Sequence, residues 1–221
     1  GSAIASHSHY DFGSVVLFFH GKEVLIDSGR YDYTESQLGR YGVNASAHNT
    51  ILLNGFSPML TRGDRLMPEL YREAKSSVFF EKFENSIQVK FVHEGFSRIN
   101  KKSITHTREY IFSNKSCEIS DQLLGSGNYF FECFFHYPVL SDISKDLDND
   151  KRTLDKIYSQ LGIKMTPNQN NKIKIDLNMS SNNPIRGIRS LSYGKISSAL
   201  TQRFYGHIEL PFNLTHKLSQ E

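Results

Sequence analysis

The feature that most constrains this chain is the recurrence, from end to end, of short β-branched and aromatic runs bounded by turn residues. They read "VVLFF" (15–19), "EVLIDSG" (23–29), "NTILLNG" (49–55), "SSVFFEKF" (76–83), "SIQVKFVH" (86–93) and "HTREYIFS" (106–113). The series continues with "CEISDQLL" (117–124), "YFFECFFHY" (129–137), "KIKIDLNM" (172–179) and "ALTQRFYGHIEL" (199–210). Val, Ile, Phe, Tyr and Thr fit a pleated, half-buried surface, and the Gly, Asn, Ser and Asp between the runs supply turns. Strict alternation in "IQVKFV" and "KIKIDL" marks strands with one buried face. Only "DKRTLDKIYSQLGI" (150–163) reads as a helix, a short one, and "SDISKDLDND" before it reads as a polar loop. Strands this frequent stack as two sheets. The predicted fold is therefore all-β, a large antiparallel two-layer β-sandwich of about a dozen strands with at most one short helix.

Composition narrows the function classes. With 221 residues the chain suffices for one large all-β domain, and a formal charge of +3, spread without blocks, gives nucleic acid no support. No apolar run approaches membrane length, so no membrane span is expected. No signal peptide is present in these residues, and in a larger natural protein the targeting signal is expected to lie in the part removed from this chain. Gly1-Ser2 is read as a cleavage scar, which leaves 3–221 as the domain. Cys117 and Cys133 lie in neighbouring runs joined by "GSGN". A two-residue hairpin at Ser126-Gly127 sets Cys133 opposite Ser120 and turns the two thiols to opposite faces, so no disulfide is expected.

Four polar clusters interrupt the early strands: "SHSHYD" (6–11), "IDSGRYDYT" (26–34), "GRYGVNASAHNT" (39–50) and "NGFSP" (54–58). Polar loops on a rigid sheet are where binding and catalysis concentrate. His9, Asp27 and His48 offer two imidazoles and a carboxylate, a donor set suited to a borderline cation such as zinc. Their spacing forms no compact motif. A tight "HGKE" hairpin would also set Asp27 opposite Val16, so that "SHSHYDFG" must fold back to reach it. A turn-capping Asp27, a surface His9 and a hydrogen-bonded loop His48 account for the pattern as well. His7, Tyr31, Tyr33 and Tyr41 are candidates for proton transfer, against which stands the ordinary habit of tyrosines to pack their rings and wet their hydroxyls. Arg108 and Asp121, inside strands, read as an internal ion pair.

Taken in order, the motifs resemble the C-terminal domain of heparinase II/III-type polysaccharide lyases. The likeness is carried by His7, His9, Asp11 and Ser14; by Gly21; by Asp27, Gly29, Tyr31 and Tyr33; and by Ala47, His48, Asn49 and Thr50. Weaker echoes run through "HEGFSR", "THTREYIF", "ISDQL", "FFHYP", "LSYGK" and "IELPF", so the likeness covers essentially the whole chain. It implies a divalent metal ion, zinc foremost, held by His9, Asp27 and His48. It further implies His7 and Tyr31 as catalytic groups facing the cleft, and Tyr33, Tyr41 and Asn49 as substrate contacts. The implied substrate is an acidic, uronate-containing polysaccharide cleaved by β-elimination in the periplasm or outside a bacterial cell. The implied partner is an N-terminal α/α toroid of the same protein, absent from this chain, without which the domain is expected to be inactive. Two other classes remain: a carbohydrate-binding or accessory domain that keeps the metal only structurally, and a metal-stabilised adhesin sandwich.

Overall fold

A computed structural model describes residues 9–59, 75–139, 151–167 and 172–220. The strands are β1 (Leu17–Phe19), β2 (Lys22–Leu25), β3 (Ile51–Leu53), β4 (Ser76–Lys82), β5 (Ser86–His93), β6 (Thr105–Ser113) and β7 (Ser116–Pro138). After them come β8 (Ile163–Pro167), β9 (Lys174–Met179), β10 (Ser181–Asn182), β11 (Ile185–Arg186), β12 (Ile188–Ser192) and β13 (Lys195–Gln220). Two α-helices are described, α1 (Gln37–Tyr41) and α2 (Lys151–Leu161). Nine strands form one antiparallel ladder in the order β12-β13-β7-β6-β5-β4, with β3 added on β7 and both β8 and β9 on β13. The all-β expectation holds, and so does the single helix of useful length. Leu154, Ile157, Tyr158 and Leu161 recur at helical spacing and pack into the core, and Gly162, at φ +64°, ends the helix. The expected polar loop at 141–150 lies outside the described residues.

The expected hairpin at "GSGN" is not there. Residues 116–138 form one strand that bends and never reverses. Gly127, at φ +113°, supplies a backbone that other residues avoid, and β13 slips register between Leu210 and Phe212, where Pro211 has no N–H for the ladder. Before the bend β7 pairs with β6 and with the last part of β13; after it β7 pairs with β3 and the first part of β13. The two parts of β7 then face each other across the core. Cys133 Sγ lies 3.5 Å from Arg108 Nη2, and the Phe131 and Phe212 rings are 5.1 Å apart. Two layers thus arise from one folded-over ladder. Cys133 is paired with Ile51 and Phe204, not with Ser120. Both thiols are free and buried. The absence of a disulfide holds, but for another reason. Cys133 sits against Asp121, four residues along the strand from Cys117, about 13 Å away at strand rise and out of bridging range.

The second part of β7 is buried on both faces, from Phe131 through Tyr137. Its inner face meets the other layer, and its outer face carries Phe134 packed against Ala45 and Leu52. The polar loops of the first fifty residues lie on that outer face. Among the described residues no helix is long and apolar enough to cross a membrane.

Candidate functional site

The site is assembled by backbone hydrogen bonds to β7. His20 (φ +49°) and Gly21 (φ +78°) make the two-residue turn between β1 and β2, whose pairing shifts register and ends at Leu17 and Leu25. Asp27 therefore does not pair with Val16. The chain instead runs beside β7, where the Ile26 amide donates to the His136 carbonyl at 2.9 Å. The N-terminal loop does fold back as a shared site requires. The Tyr10 amide donates to the Val43 carbonyl at 2.9 Å, the Asn49 amide to Ser14 Oγ at 3.0 Å, and Thr50 Oγ to the Phe12 carbonyl at 3.0 Å.

These bonds bring the three loops to one point. His48, fully buried, follows a short 3₁₀ turn (Ala45–Ala47) capped by the Asn44 side chain. Its Nδ1 lies 2.6 Å from Asp27 Oδ2, and Asp27 Oδ1 accepts the Gly29 amide at 2.7 Å. Burial opposes ionisation of Asp27, but the His48 contact and the Gly29 amide outweigh it and hold the carboxyl below its ordinary pKa. The His9 ring centroid is 5.1 Å from that of His48, and burial together with its neighbour lowers the His9 pKa. One ligand atom each from His9, Asp11 and His48 falls within a 4.8 Å cluster. Asp11, which the reading of the sequence left out of the ligand set, thus joins the two histidines, while Asp27 lies on Nδ1 of His48. His48 Nε2 has no hydrogen-bond partner among the described residues. With Nδ1 held by a carboxylate, Nε2 is the atom that presents a lone pair.

The other candidates separate into surface and interior. Tyr31 is half-buried, and Tyr33 is exposed with the Arg30 guanidinium 4.2 Å from its ring centroid. Tyr41 lies beneath the site, buried against Ala47 and Ile188, with its hydroxyl 3.4 Å from Ser28 Oγ. Asn49 is fully buried and its side chain is consumed by backbone. Nδ2 donates to the carbonyls of Val15 and Ile26 at 2.8 and 2.9 Å, and Oδ1 accepts the His136 amide at 2.8 Å. Neither Tyr41 nor Asn49 sits at the surface that a substrate contact needs; both hold the loops together. His7 lies outside the described residues. His136, which sequence reasoning passed over inside "FFHYP", stands behind the site with Nδ1 3.0 Å from Thr201 Oγ. Burial pushes its pKa down to about 3.

Arg108 and Asp121 form the internal ion pair expected of them. Arg108 Nε and Nη2 each donate to Asp121 at 2.7 Å, His106 Nε2 lies 2.8 Å from the same carboxylate, and His93 continues the chain at 2.7 Å from His106. Arg108 Nη1 also donates to the Asn49 carbonyl, which ties the network to the loop carrying His48.

The family model described as "Heparinase II/III-like, C-terminal" matches residues 1–195. The chain belongs to this family. Among solved structures, the heparinase II/III-like domain is similar to a heparinase III, the BT4657 gene product, with a TM-score of 0.68 and 15% identity over 96% of this chain and 30% of that one. It is also similar to the heparan sulfate lyase HepC from Pedobacter heparinus, with a TM-score of 0.63 and 16% identity over 96% of this chain and 31% of that one. A further structure titled heparinase III gives 0.65 and 13% over 95% and 29%. At these identities the structures establish the fold. The domain spans about 30% of the length of the first of them. No curated protein sequence matches the chain.

Proposed function

We propose that this domain serves a polysaccharide lyase that cleaves uronate-containing polysaccharide by β-elimination, in the periplasm or outside a bacterial cell. The observation that carries the reading is the gathering of His9, Asp11 and His48, with Asp27 on the Nδ1 of His48. A purely structural role leaves the buried Nε2 of His48 unsatisfied, at a cost of about 1–3 kcal/mol. The donor set fits a divalent cation, and zinc suits two imidazoles with a carboxylate. His9 and His48 would hold it. The family likeness assigns the carboxylate to Asp27, and proximity offers Asp11, with Asp27 then orienting His48. When bound, the ion supplies fixed positive charge that attracts an anionic polymer.

In the proposed reaction the uronate carboxylate is neutralised and the C5–H bond breaks as a base takes the proton. That electron pair forms the C4=C5 double bond, and the C4–O pair leaves on the glycosidic oxygen, which accepts a proton. Tyr31 and His7 are the proton-handling groups we assign to this domain, with Tyr33 contacting the sugar. A preceding α/α toroid of the whole protein would supply the rest. The test is ultraviolet detection of unsaturated product from a panel of uronate polymers. The whole protein should turn over at least one of them, and this chain alone should turn over none. Turnover by the chain alone would refute the divided site, and a whole protein inert on every polymer would sink the lyase reading.

A further inference from the structure

We propose that Tyr33, Tyr193 and Arg30 form a platform on which an acidic sugar ring stacks, on the segment that follows Asp27. This rests on the carbohydrate reading above and assigns one of its subsites, using a residue from the far end of the sequence. Tyr193 lies in the turn between β12 and β13. Its ring is 6.3 Å from that of Tyr33, with 19° between the planes, and the two residues are 67% and 60% exposed. Leu191, 74% exposed, extends the same turn.

The pairing is built by the backbone. The Ser190 amide donates to the Ser28 carbonyl at 2.7 Å, and the Gly194 amide to the Tyr31 carbonyl at 2.8 Å. Gly29 (φ +68°) permits this approach, because a Cβ there would fall 2.0 Å from the Ser190 carbonyl oxygen. Arg30, three residues past Asp27, donates its Nε to the Asp32 carbonyl at 2.9 Å and places its charge 4.2 Å from the centre of the Tyr33 ring. Scattered exposed aromatics need no explanation, but two near-parallel, stacked rings held together by main-chain bonds between their segments do. Aromatic faces carry negative potential and attract the polarised C–H groups of a sugar ring, while the guanidinium meets a carboxylate or sulfate. Three side chains are too small a patch for a protein partner, which needs about 800 Å² on each side.

The test is calorimetric titration of this chain with a heparan sulfate oligosaccharide, an unsulfated glucuronate oligomer and a neutral glucan. The wild type should bind the acidic oligomers and not the glucan. Tyr193→Ala should weaken binding about tenfold, and Tyr193→Phe should stay within about twofold. Arg30→Gln should narrow the preference for acidic over neutral sugar. Stronger binding of the sulfated oligomer would support a sulfate at Arg30, and equal binding a carboxylate. Unchanged affinity in Tyr193→Ala would overturn the platform and leave the lyase reading standing. A wild type that binds no probe also overturns the platform. The lyase reading falls with it only if the whole protein shows no turnover.

Discussion

His216 offers the sharpest test of how the core responds to pH. It occupies an inward position of β13, between Leu214 and Leu218, with its ring 4.4 Å from that of Phe204 and 4.9 Å from that of Phe135. It is fully buried, and neither ring nitrogen has a hydrogen-bond partner among the described residues. Burial pushes its pKa down to about 3, against a smaller upward pull from Asp121. The folded state therefore refuses the proton that the unfolded chain accepts near pH 6.5. Stability is fully present above pH 6.5 and falls as pH drops toward 3, because the unfolded state binds more protons throughout that window.

Between pH 7 and pH 5 the folded ring stays neutral, so the change depends only on unfolded-state protonation and amounts to about 2 kcal/mol for this one site. His216→Leu removes the titrating group and two unsatisfied polar atoms, and supplies a side chain the strand accepts. The variant should be at least as stable as the wild type at pH 7. It should also lose about 2 kcal/mol less on going to pH 5. Urea unfolding at both pH values, followed by far-ultraviolet circular dichroism because the chain has no tryptophan, measures each loss. His93, His106 and His136, whose pKa values are also lowered, cancel in the comparison. Equal losses in wild type and variant would refute the reasoning, since His216 would then be protonated in the fold or already shielded in the unfolded chain.

Asp121→Asn should destabilise the domain by about 3–5 kcal/mol, because Arg108 is left charged and buried. Glu109→Gln, which cuts the more exposed contact with Lys90 at 3.3 Å, should change stability by less than about 1 kcal/mol. Urea midpoints decide both, and similar shifts in the two variants would be inconsistent with the buried network. If the His9–His48 cluster holds metal, protein purified without added metal should carry close to one zinc per chain by elemental analysis. His48→Ala should then lose most of it, and His7→Ala should keep it; equal loss would move His7 from the substrate side to the metal.

The fold was legible wherever one face of a strand is wet. "IQVKFV" alternates because β5 is paired on both edges yet only half buried, and its bounds could be read almost to the residue. β7 escaped because "GSGN" has turn chemistry, whereas in the fold its glycines bend a strand whose hydrogen-bond partner bends with it. The clue was in the next stretch. "FFECFFHY" does not alternate, as a strand covered on both faces would not, and such a strand belongs at the centre of a structure and not beside a surface hairpin. The loops of the site were legible as polar interruptions, but the roles inside them were not. Asn49 and Tyr41 look like surface groups in sequence. The Asn49 side chain in fact satisfies three main-chain groups where three segments meet, a task that leaves nothing for a ligand. Asp11 and Asp27 are equivalent on composition, and only the structure divides them, Asp27 bonded to His48 Nδ1 and Asp11 grouped with His9 and His48. Tyr193 carried only a weak family echo, since "LSYGK" is an ordinary turn until Gly29 lets it lie against the segment of Tyr31. The same polar side chains thus serve two ends. Those that satisfy backbone, Asn49 foremost, fix where the loops lie, and the Nε2 of His48, brought to the same junction, has no hydrogen-bond partner among the described residues.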